Sequence, residues 1–183
     1  RMQWFGHKKA IAQIHITYED GTTDIICSDK TWTCTDGPLL YNCVYDGEIY
    51  DANQEKTGWN QPGFNDSDWK NVAVYTSVKA KLIAQQMPPI QVIQAVEPIE
   101  LKSPEPGKRV FDMGQNFTGW VQIMASGQKN TRLRIRFAED IFPDGNIDPS
   151  SNEHAKATAE YIMKDSGIEV YEPSFTYFGF RYV

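Results

Sequence analysis

The sequence lacks the concentrated features that mark several classes of protein. It has no block of like charge, and its 18 Lys and Arg stand against 24 Asp and Glu, for a formal net charge of −6. Nucleic acids and anionic membranes are bound through basic patches, so neither partner is expected. No apolar run approaches the roughly 20 residues that span a bilayer. The beginning of the chain also lacks the order of regions that defines a signal peptide.

Cysteine is scarce, and the three that occur form no familiar motif. Cys27, Cys34 and Cys43 lie seven and nine residues apart. Zinc sites use pairs about two to four residues apart, and redox sites use Cys-x-x-Cys. A bridge between any two would leave the third unpaired. We therefore expect buried or otherwise inert thiols rather than a disulfide framework.

Motifs for nucleophilic or metal-dependent catalysis are missing as well. His7, His15 and His154 are far apart, and neither a Gly-x-Ser-x-Gly elbow nor a His-Glu-x-x-His pair occurs. Glycosidases need two carboxyl groups that face each other across a sugar. Since 24 acidic residues offer many such pairs, composition cannot select one. The residues by themselves assign no catalytic group.

Alternating apolar and polar residues dominate the sequence and predict strands. Residues 11–18 alternate up to Asp20–Gly21, which predicts a hairpin with the run that follows. Helical periodicity is scarce, so we predict an all-β chain of antiparallel jelly-roll or β-sandwich units. In "TRLRIRFAED" (131–140), three arginines alternate with apolar residues and share one face of a strand. They are Arg132, Arg134 and Arg136.

Two structural units are predicted along the chain. A length of 183 residues can hold one large domain or two small ones. Pro104, Pro106 and Gly107 form a linker-like joint, after which a new strand pattern begins. We therefore divide the chain into residues 1–104 and 105–183.

The segment Gly47–Val72, "GEIYDANQEKTGWNQPGFNDSDWKNV", is rich in aromatic, acidic and amide side chains. Sugar sites combine an aromatic surface with carboxylates and amides that hydrogen-bond hydroxyl groups. Part of the segment has a simpler interpretation, because Asp66 or Ser67 can cap a helical turn under which Phe64 and Trp69 pack. Beside Tyr50, which is suitable in type, the residues predicted to bind carbohydrate are Asp51, Asn53, Trp59 and Asn60.

Calcium is the metal that the residue pattern suggests. In "DANQE" (51–55), three oxygen-bearing side chains alternate, and hard cations take several ligands of this kind. "DGNID" (144–148) alternates likewise, but Pro149 stands where an EF-hand has glycine. We expect the 144–148 segment to be a polar hairpin turn. The predicted ligands of a calcium ion are Asp51 and Asn53.

Several ordered stretches are similar to the bacterial α-L-rhamnosidases, in the region upstream of their catalytic domain. "YDGEIYDA" followed by "GWNQPGFNDSDWK" resembles the family pattern Tyr-Asp-Gly-Glu-x-Tyr-Asp-Ala and Gly-Trp-x-x-Pro-Gly-Phe-x-Asp-Ser-x-Trp. "VFDMGQNFTGWV" is similar to its Phe-Asp-x-Gly-Gln-Asn-x-x-Gly-Trp signature. "LRIRFAEDIFPDGNID", "ATAEYIMK" and "YEPSFTYFGFRYV" continue in the same order, so the match covers nearly the whole chain.

The resemblance implies an accessory β region of a glycoside hydrolase. In the family, a helical toroid carries the acidic residues that hydrolyse terminal α-L-rhamnosides with inversion, and no segment here could build that toroid. We therefore expect a fragment that is inactive by itself. It would support the missing catalytic domain or contact rhamnose-containing glycans or glycosides. A periplasmic or secreted location is favoured over a cytoplasmic one.

The resemblance also leaves two alternatives open, a calcium-dependent rhamnose-binding module and a purely structural interaction module. Some N-terminal jelly rolls of the family bind rhamnose through calcium, and Asp51 matches the residue that contacts both ion and sugar. Ala52 departs from this pattern, where a binding version has Asn, and Asn53 stands where Arg is common. In "FDMGQNFTGW" a structural role is expected, with an alternative contact to the catalytic domain through Gln115, Asn116 or Trp120.

Overall fold

The computed structural model describes residues 9–75, 81 and 83–183. Regular structure in these residues is almost entirely β-strand, with two 3₁₀ helices at Ala52–Gln54 and Ser150–Asn152. No helix in this part of the chain has the length and hydropathy of a membrane span. The strands are β1 (Gln13–Thr17), β2 (Thr23–Cys27), β3 (Thr33–Cys34), β4 (Leu39–Cys43), β5 (Gly47–Asp51), β6 (Lys70–Asn71), β7 (Glu100–Lys102), β8 (Val110–Gly119), β9 (Ile123–Ala125), β10 (Arg132–Arg136), β11 (Asp140–Ile141), β12 (Ile147–Asp148), β13 (Thr158–Ile162), β14 (Glu169–Tyr171) and β15 (Phe178–Tyr182).

The strands pair mostly in the antiparallel sense. The antiparallel pairs are β1–β2, β3–β6, β4–β5, β7–β8, β8–β15, β9–β14, β10–β13 and β11–β12. Among the described strands only β5 and β13 run parallel, with Tyr50 opposite Tyr161. The predicted all-β class is confirmed, and the parallel pair is a feature that alternation alone does not reveal.

The chain divides into two compact units that are not consecutive segments. The smaller unit consists of the described residues of Arg1–Asp36 and Gly58–Gln86, and the larger unit of Gly37–Thr57 and Met87–Val183. The larger unit takes in an early segment because β5 pairs with β13. The sequence boundary predicted near residue 104 stays a prediction.

Two local predictions in the smaller unit are confirmed. The β1–β2 hairpin turns at Asp20–Gly21, where the amide of Gly21 donates to the carbonyl of Tyr18 at 3.0 Å. Gly21 has a φ of +83°, a conformation that glycine adopts without strain. The rings of Phe64 and Trp69 pack edge to face, with centroids 5.6 Å apart.

The cap predicted for the turn between those two rings is wrong. The side chain that caps it is Asn65, whose Oδ1 accepts from the amide of Ser67 at 3.1 Å. The carboxylate of Asp66 instead accepts from the hydroxyl of Thr33 at 2.7 Å. The carboxylate of Asp66 is therefore bound by strand β3 of the same unit.

The three cysteines are free thiols, as predicted. Of the two predicted alternatives, buried or otherwise inert, burial does not hold for Cys27 and Cys34, which are exposed, and Cys43 is half-buried. Cys27 lies on β2, all of whose residues are exposed.

The larger unit is a β-sandwich with one continuous core. β10, β13, β5 and β4 form one sheet, and β15, β8 and β7 form another. Phe137, which follows β10, stacks on Phe178 of β15 with ring centroids 4.0 Å apart and meets Phe180 edge to face at 5.0 Å. The buried cluster consists of Ala52, Met113, Ile135, Phe137, Ala157, Ala159, Tyr161, Met163, Tyr171, Phe178 and Phe180.

Strand β10 shows the predicted alternation. Ile135 is buried in the core, whereas Arg132, Arg134 and Arg136 are exposed. On the neighbouring strand, the carboxylate of Glu160 binds Arg132 and Arg134, the latter at 2.8 Å. Two of the three arginines are thus held by an ion pair across the sheet.

The 144–148 segment is a polar hairpin turn between β11 and β12, as predicted. The amide of Asn146 donates to Oδ1 of Asp144 at 2.9 Å, and Gly145 has a φ of +86°. The Asn146 amide group also donates to Glu105 at 3.2 Å. These contacts engage the side chains of Asp144 and Asn146 within the turn and with Glu105.

Candidate functional site

Asp51 ends β5 and caps the 3₁₀ helix that follows. Its Oδ1 accepts from the backbone amide of Asn53 at 3.0 Å and from Asn53 Nδ2 at 2.8 Å. Burial opposes ionisation of Asp51, but the hydrogen bonds from Asn53 and Gln54 and the nearby charge of Arg132 outweigh it and lower its pKa. Asp51 is therefore a carboxylate whose orientation is fixed by its own turn.

Asn53 joins this turn to the end of β13. Besides Asp51, its Nδ2 approaches the carbonyl of Met163 at 3.2 Å and Oδ1 of Asn130 at 3.4 Å. Asn130 has a φ of 67°, in the left-handed region that Asn tolerates better than most residues. The side-chain Nδ2 of Asn53 thus connects Asp51, Asn130 and Met163 of the larger unit.

Asp51 and Asn53 do not form a calcium site by themselves. Calcium takes about six to eight oxygen ligands, whereas Oδ1 of Asp51 already faces two N–H donors. Within the described residues, no group of three or more His, Cys, Asp or Glu side chains is placed to hold a metal ion. Calcium binding stays a prediction.

The other two predicted carbohydrate-binding residues, Trp59 and Asn60, belong to the smaller unit. Trp59 is 63% exposed, so its indole offers an aromatic face to solvent. Oδ1 of Asn60 accepts from the side chain of Gln61 at 3.4 Å. The four predicted residues therefore form two pairs, one in each unit, and sugar binding by either pair stays a prediction.

A cluster of tyrosine–glutamate hydrogen bonds in the larger unit was not predicted. The ring of Tyr161 stacks against those of Tyr50 and Tyr171, with centroids 5.8 and 4.8 Å away. Burial, together with a glutamate at each hydroxyl, raises the pKa of all three, that of Tyr50 to about 12. The hydroxyls donate from Tyr50 to Glu55 at 3.0 Å, from Tyr161 to Glu169 at 2.7 Å and from Tyr171 to Glu48 at 3.0 Å.

Two of these glutamates are buried and anchor backbone segments. Glu48 is 1% exposed, and its carboxylate also accepts from the amides of Ser174 at 3.1 Å and Phe175 at 3.2 Å. Glu169 likewise accepts from the amides of residues 164–166. Glu48 thus holds the loop between β14 and β15, and Glu169 holds the segment that follows β13, which are structural roles.

Eight described carboxyl groups have a shifted pKa, and the direction of the shift is the same in all of them. A general acid must keep its proton near neutral pH, which requires a raised pKa. In this part of the chain, every carboxyl group whose pKa is shifted has it lowered. They are Asp20, Asp29, Asp51, Glu105, Asp112, Asp144, Glu160 and Glu169.

Two family models match successive parts of the chain. Residues 1–94 match the α-L-rhamnosidase N-terminal domain, and residues 102–183 match the bacterial α-L-rhamnosidase concanavalin-like domain. The chain belongs to the bacterial α-L-rhamnosidase family. The family that its sequence motifs indicated is thereby confirmed.

The relatives that the chain matches are several times longer than the chain itself. An α-L-rhamnosidase of Streptomyces avermitilis is 38% identical over 181 residues, which make up 98% of this chain and 18% of that protein. The structure of the α-L-rhamnosidase from Dictyoglumus thermophilum has a TM-score of 0.89 at 44% identity, over 94% of this chain and 20% of that one. The S. avermitilis enzyme complexed with L-rhamnose has a TM-score of 0.88 at 38% identity, over 94% and 17%. The chain spans about a fifth of the length of the relatives it matches.

Proposed function

We propose that the chain is the accessory N-terminal β region of an inverting α-L-rhamnosidase and is not catalytic by itself. The observation that carries this proposal is coverage, because 98% of the chain aligns with only 18% of a relative. Most of the length of such an enzyme lies outside the matched region. The substrate of the whole enzyme would be a terminal α-L-rhamnoside on a glycan or a glycoside.

The carboxyl groups support the non-catalytic part of the proposal. The carboxylate oxygens of Glu48 and Glu169 accept hydrogen bonds from tyrosine hydroxyls and backbone amides. Glu160 forms ion pairs with two arginines. The pKa of Glu160 and that of Glu169 are lowered, so both groups are ionised at neutral pH. An ionised and fully engaged carboxylate cannot protonate a leaving group.

Hydrolysis of p-nitrophenyl α-L-rhamnoside by the purified 183-residue chain tests this proposal. We expect no rate above that of buffer, whereas a full-length rhamnosidase that contains the same region should be active under identical conditions. For the full-length enzyme, NMR that identifies which anomer of rhamnose is released first tests whether hydrolysis proceeds with inversion. Measurable turnover by the isolated chain would contradict the proposed accessory role.

A calcium-dependent contact with rhamnose is the second candidate function. It is favoured by the exposed face of Trp59 and by the lowered pKa of Asp51. Calorimetric titration with L-rhamnose, with calcium and again after chelation, should give heat only with calcium. Asp51→Ala and Trp59→Ala then test the two pairs of residues separately, since they lie in different units. Absence of heat from the unmodified chain in both conditions would eliminate this candidate.

A further inference from the structure

The outer face of the β9–β14 pair carries large exposed apolar side chains. Met124 lies opposite Val170 in the register, and the two are 74% and 57% exposed. Ile168, immediately before β14, is 76% exposed. Met124, Ile168 and Val170 are called the apolar strip below. Apolar side chains clustered on a surface commonly mark sites where proteins associate.

The outward direction of the apolar strip is fixed by buried neighbours. Glu169 and Tyr171 flank Val170 on β14 and are buried, since alternate residues of a strand point to opposite faces. Each is anchored from the core side, Glu169 by the hydroxyl of Tyr161 and Tyr171 by the carboxylate of Glu48. A slip by one residue would bring Val170 inward but would expose both anchors. The register of β14 therefore fixes the exposure of the apolar strip.

A polar group of fixed geometry borders the apolar strip. Glu172, two residues beyond Val170, accepts from Trp120 Nε1 at 2.5 Å through one oxygen and from Gln122 Nε2 at 3.0 Å through the other. An apolar centre beside a pre-oriented hydrogen-bonding group is the composition of a protein interface. A neutral sugar would require more polar partners than Met124, Ile168 and Val170 supply.

We propose that the apolar strip docks onto the part of the rhamnosidase that lies outside these 183 residues. This inference rests on the proposed accessory function, and it names the surface through which support would be given. The relatives contain about four fifths of their length beyond the matched region, which is ample to supply a covering surface. The partner surface is apolar and carries a hydrogen-bond donor for Glu172.

Oxidation of methionines by hydrogen peroxide, followed by peptide mass spectrometry, tests the docking. Exposed methionine is converted to the sulfoxide much faster than buried methionine. In the isolated chain, Met124 and the equally exposed Met87 should react at similar rates, and the buried Met113 and Met163 at least about tenfold more slowly. In the full-length enzyme, Met124 should slow by at least about tenfold. Unchanged oxidation of Met124 in the full-length enzyme overturns the proposal.

The oxidation rate of Met124 also distinguishes two other molecules that could cover the apolar strip, a second copy of this chain and L-rhamnose. If Met124 of the isolated chain is protected in proportion to protein concentration, a second copy covers the strip and the proposal is wrong. If L-rhamnose protects Met124 in the isolated chain, the strip is a sugar surface and the proposal is again wrong. Neither result changes the hydrolysis test, so failure of the docking surface is distinguishable from failure of the accessory role.

A pair of double variants of the full-length enzyme supplies a matched control. Ile168→Asp with Val170→Asp should restore rapid oxidation of Met124, because two carboxylates would be desolvated on docking. Ile90→Asp with Val92→Asp changes the same residue types at the same spacing and at similar exposure, and should leave Met124 protected. Protection that survives the first pair, or is lost in the second, overturns the assignment to this strip.

Discussion

The two units differ in how they bury apolar surface. Every buried side chain among the described residues belongs to the larger unit, including Phe137, Met163 and Phe180 in the sandwich core. In the smaller unit, the residues of β2 are exposed along the whole strand, and Ile25 and Ile26 are among them. Both units contain paired strands, so pairing alone does not create a core.

This difference identifies where the stability of the chain arises. Burial of apolar area contributes about 25 cal/mol per Å², and the larger unit concentrates that contribution in one cluster. An isolated two-stranded hairpin is marginally stable at best in water. We therefore expect the larger unit to unfold cooperatively and the smaller unit to contribute little to that transition.

The largest expected effect is truncation of Phe180. Its ring is fully buried and contacts those of Phe117 and Phe137, so Phe180→Ala should lower the free energy of unfolding of the larger unit by about 4 kcal/mol. Hydrogen exchange measured by mass spectrometry over a urea series gives the unfolding free energy of β8 and β13 separately from that of β1 and β2. Phe142→Ala, at an exposed phenylalanine of the same unit, is the matched control. Equal effects of the two variants would contradict the proposed core.

The next effect in size concerns a buried polar contact of the core. Glu48→Ala removes the acceptor of the Tyr171 hydroxyl and of the amides of Ser174 and Phe175, and should lower the free energy of unfolding by about 3 kcal/mol. The same urea series measures it. Glu48→Gln keeps one oxygen acceptor at this position and should cost clearly less. An alanine variant as stable as the glutamine variant would show that these hydrogen bonds contribute little.

Acid should destabilise the larger unit more than the smaller one. Burial opposes ionisation of Glu169, but hydrogen bonds from Tyr161 and three backbone amides hold its pKa below the usual 4.5. Because the unfolded state then binds protons more readily, stability is present above pH 4.5 and is lost as the pH falls through the lower folded value. The smaller unit has lowered pKa values at Asp20 and Asp29, but both are fully exposed, so their effect is weaker.

Unfolding in urea at a series of pH values from neutral to acid checks this expectation. Glu169→Gln removes the titrating group and should flatten the acid limb of the stability profile of the larger unit. Asp20→Asn, the matched change in the smaller unit, should leave that limb unchanged. An acid limb unaffected by Glu169→Gln would assign the acid sensitivity to other carboxylates, such as Asp112, which Arg181 binds in a bidentate manner.

Local features of the fold were predictable because they depend on residues close in sequence. The alternation of β10, the Asp20–Gly21 hairpin and the 144–148 turn each follow from a period of two residues or from turn chemistry. The family was recognisable from ordered motifs over nearly the whole chain. These predictions required no knowledge of which distant strands meet.

The contacts that escaped prediction join residues far apart in sequence. Asn53 meets Met163 because β5 pairs with β13 in a parallel sense. Glu48 of the same strand meets Tyr171, which lies on β14. No local pattern marks these partners, although a glutamate and a tyrosine two positions apart are a visible feature of β5 and of β14. The pairing of β5 with β13 also separates Asp51 and Asn53 from the unit that holds Trp59. Sugar binding by Asp51, Asn53, Trp59 and Asn60 stays a prediction, now divided between the two units.

The smallest expected effect is truncation of Trp59 in the smaller unit. Since its side chain is 63% exposed, Trp59→Ala removes little buried area and should change the free energy of unfolding by less than about 0.5 kcal/mol. Trp69→Ala, which removes the half-buried ring that packs on Phe64, should cost more in the same unit. Hydrogen exchange of β3 and β6 measures both. A large loss from Trp59→Ala would mean that this indole is a packing residue, and would remove the strongest reason to regard it as a surface for sugar.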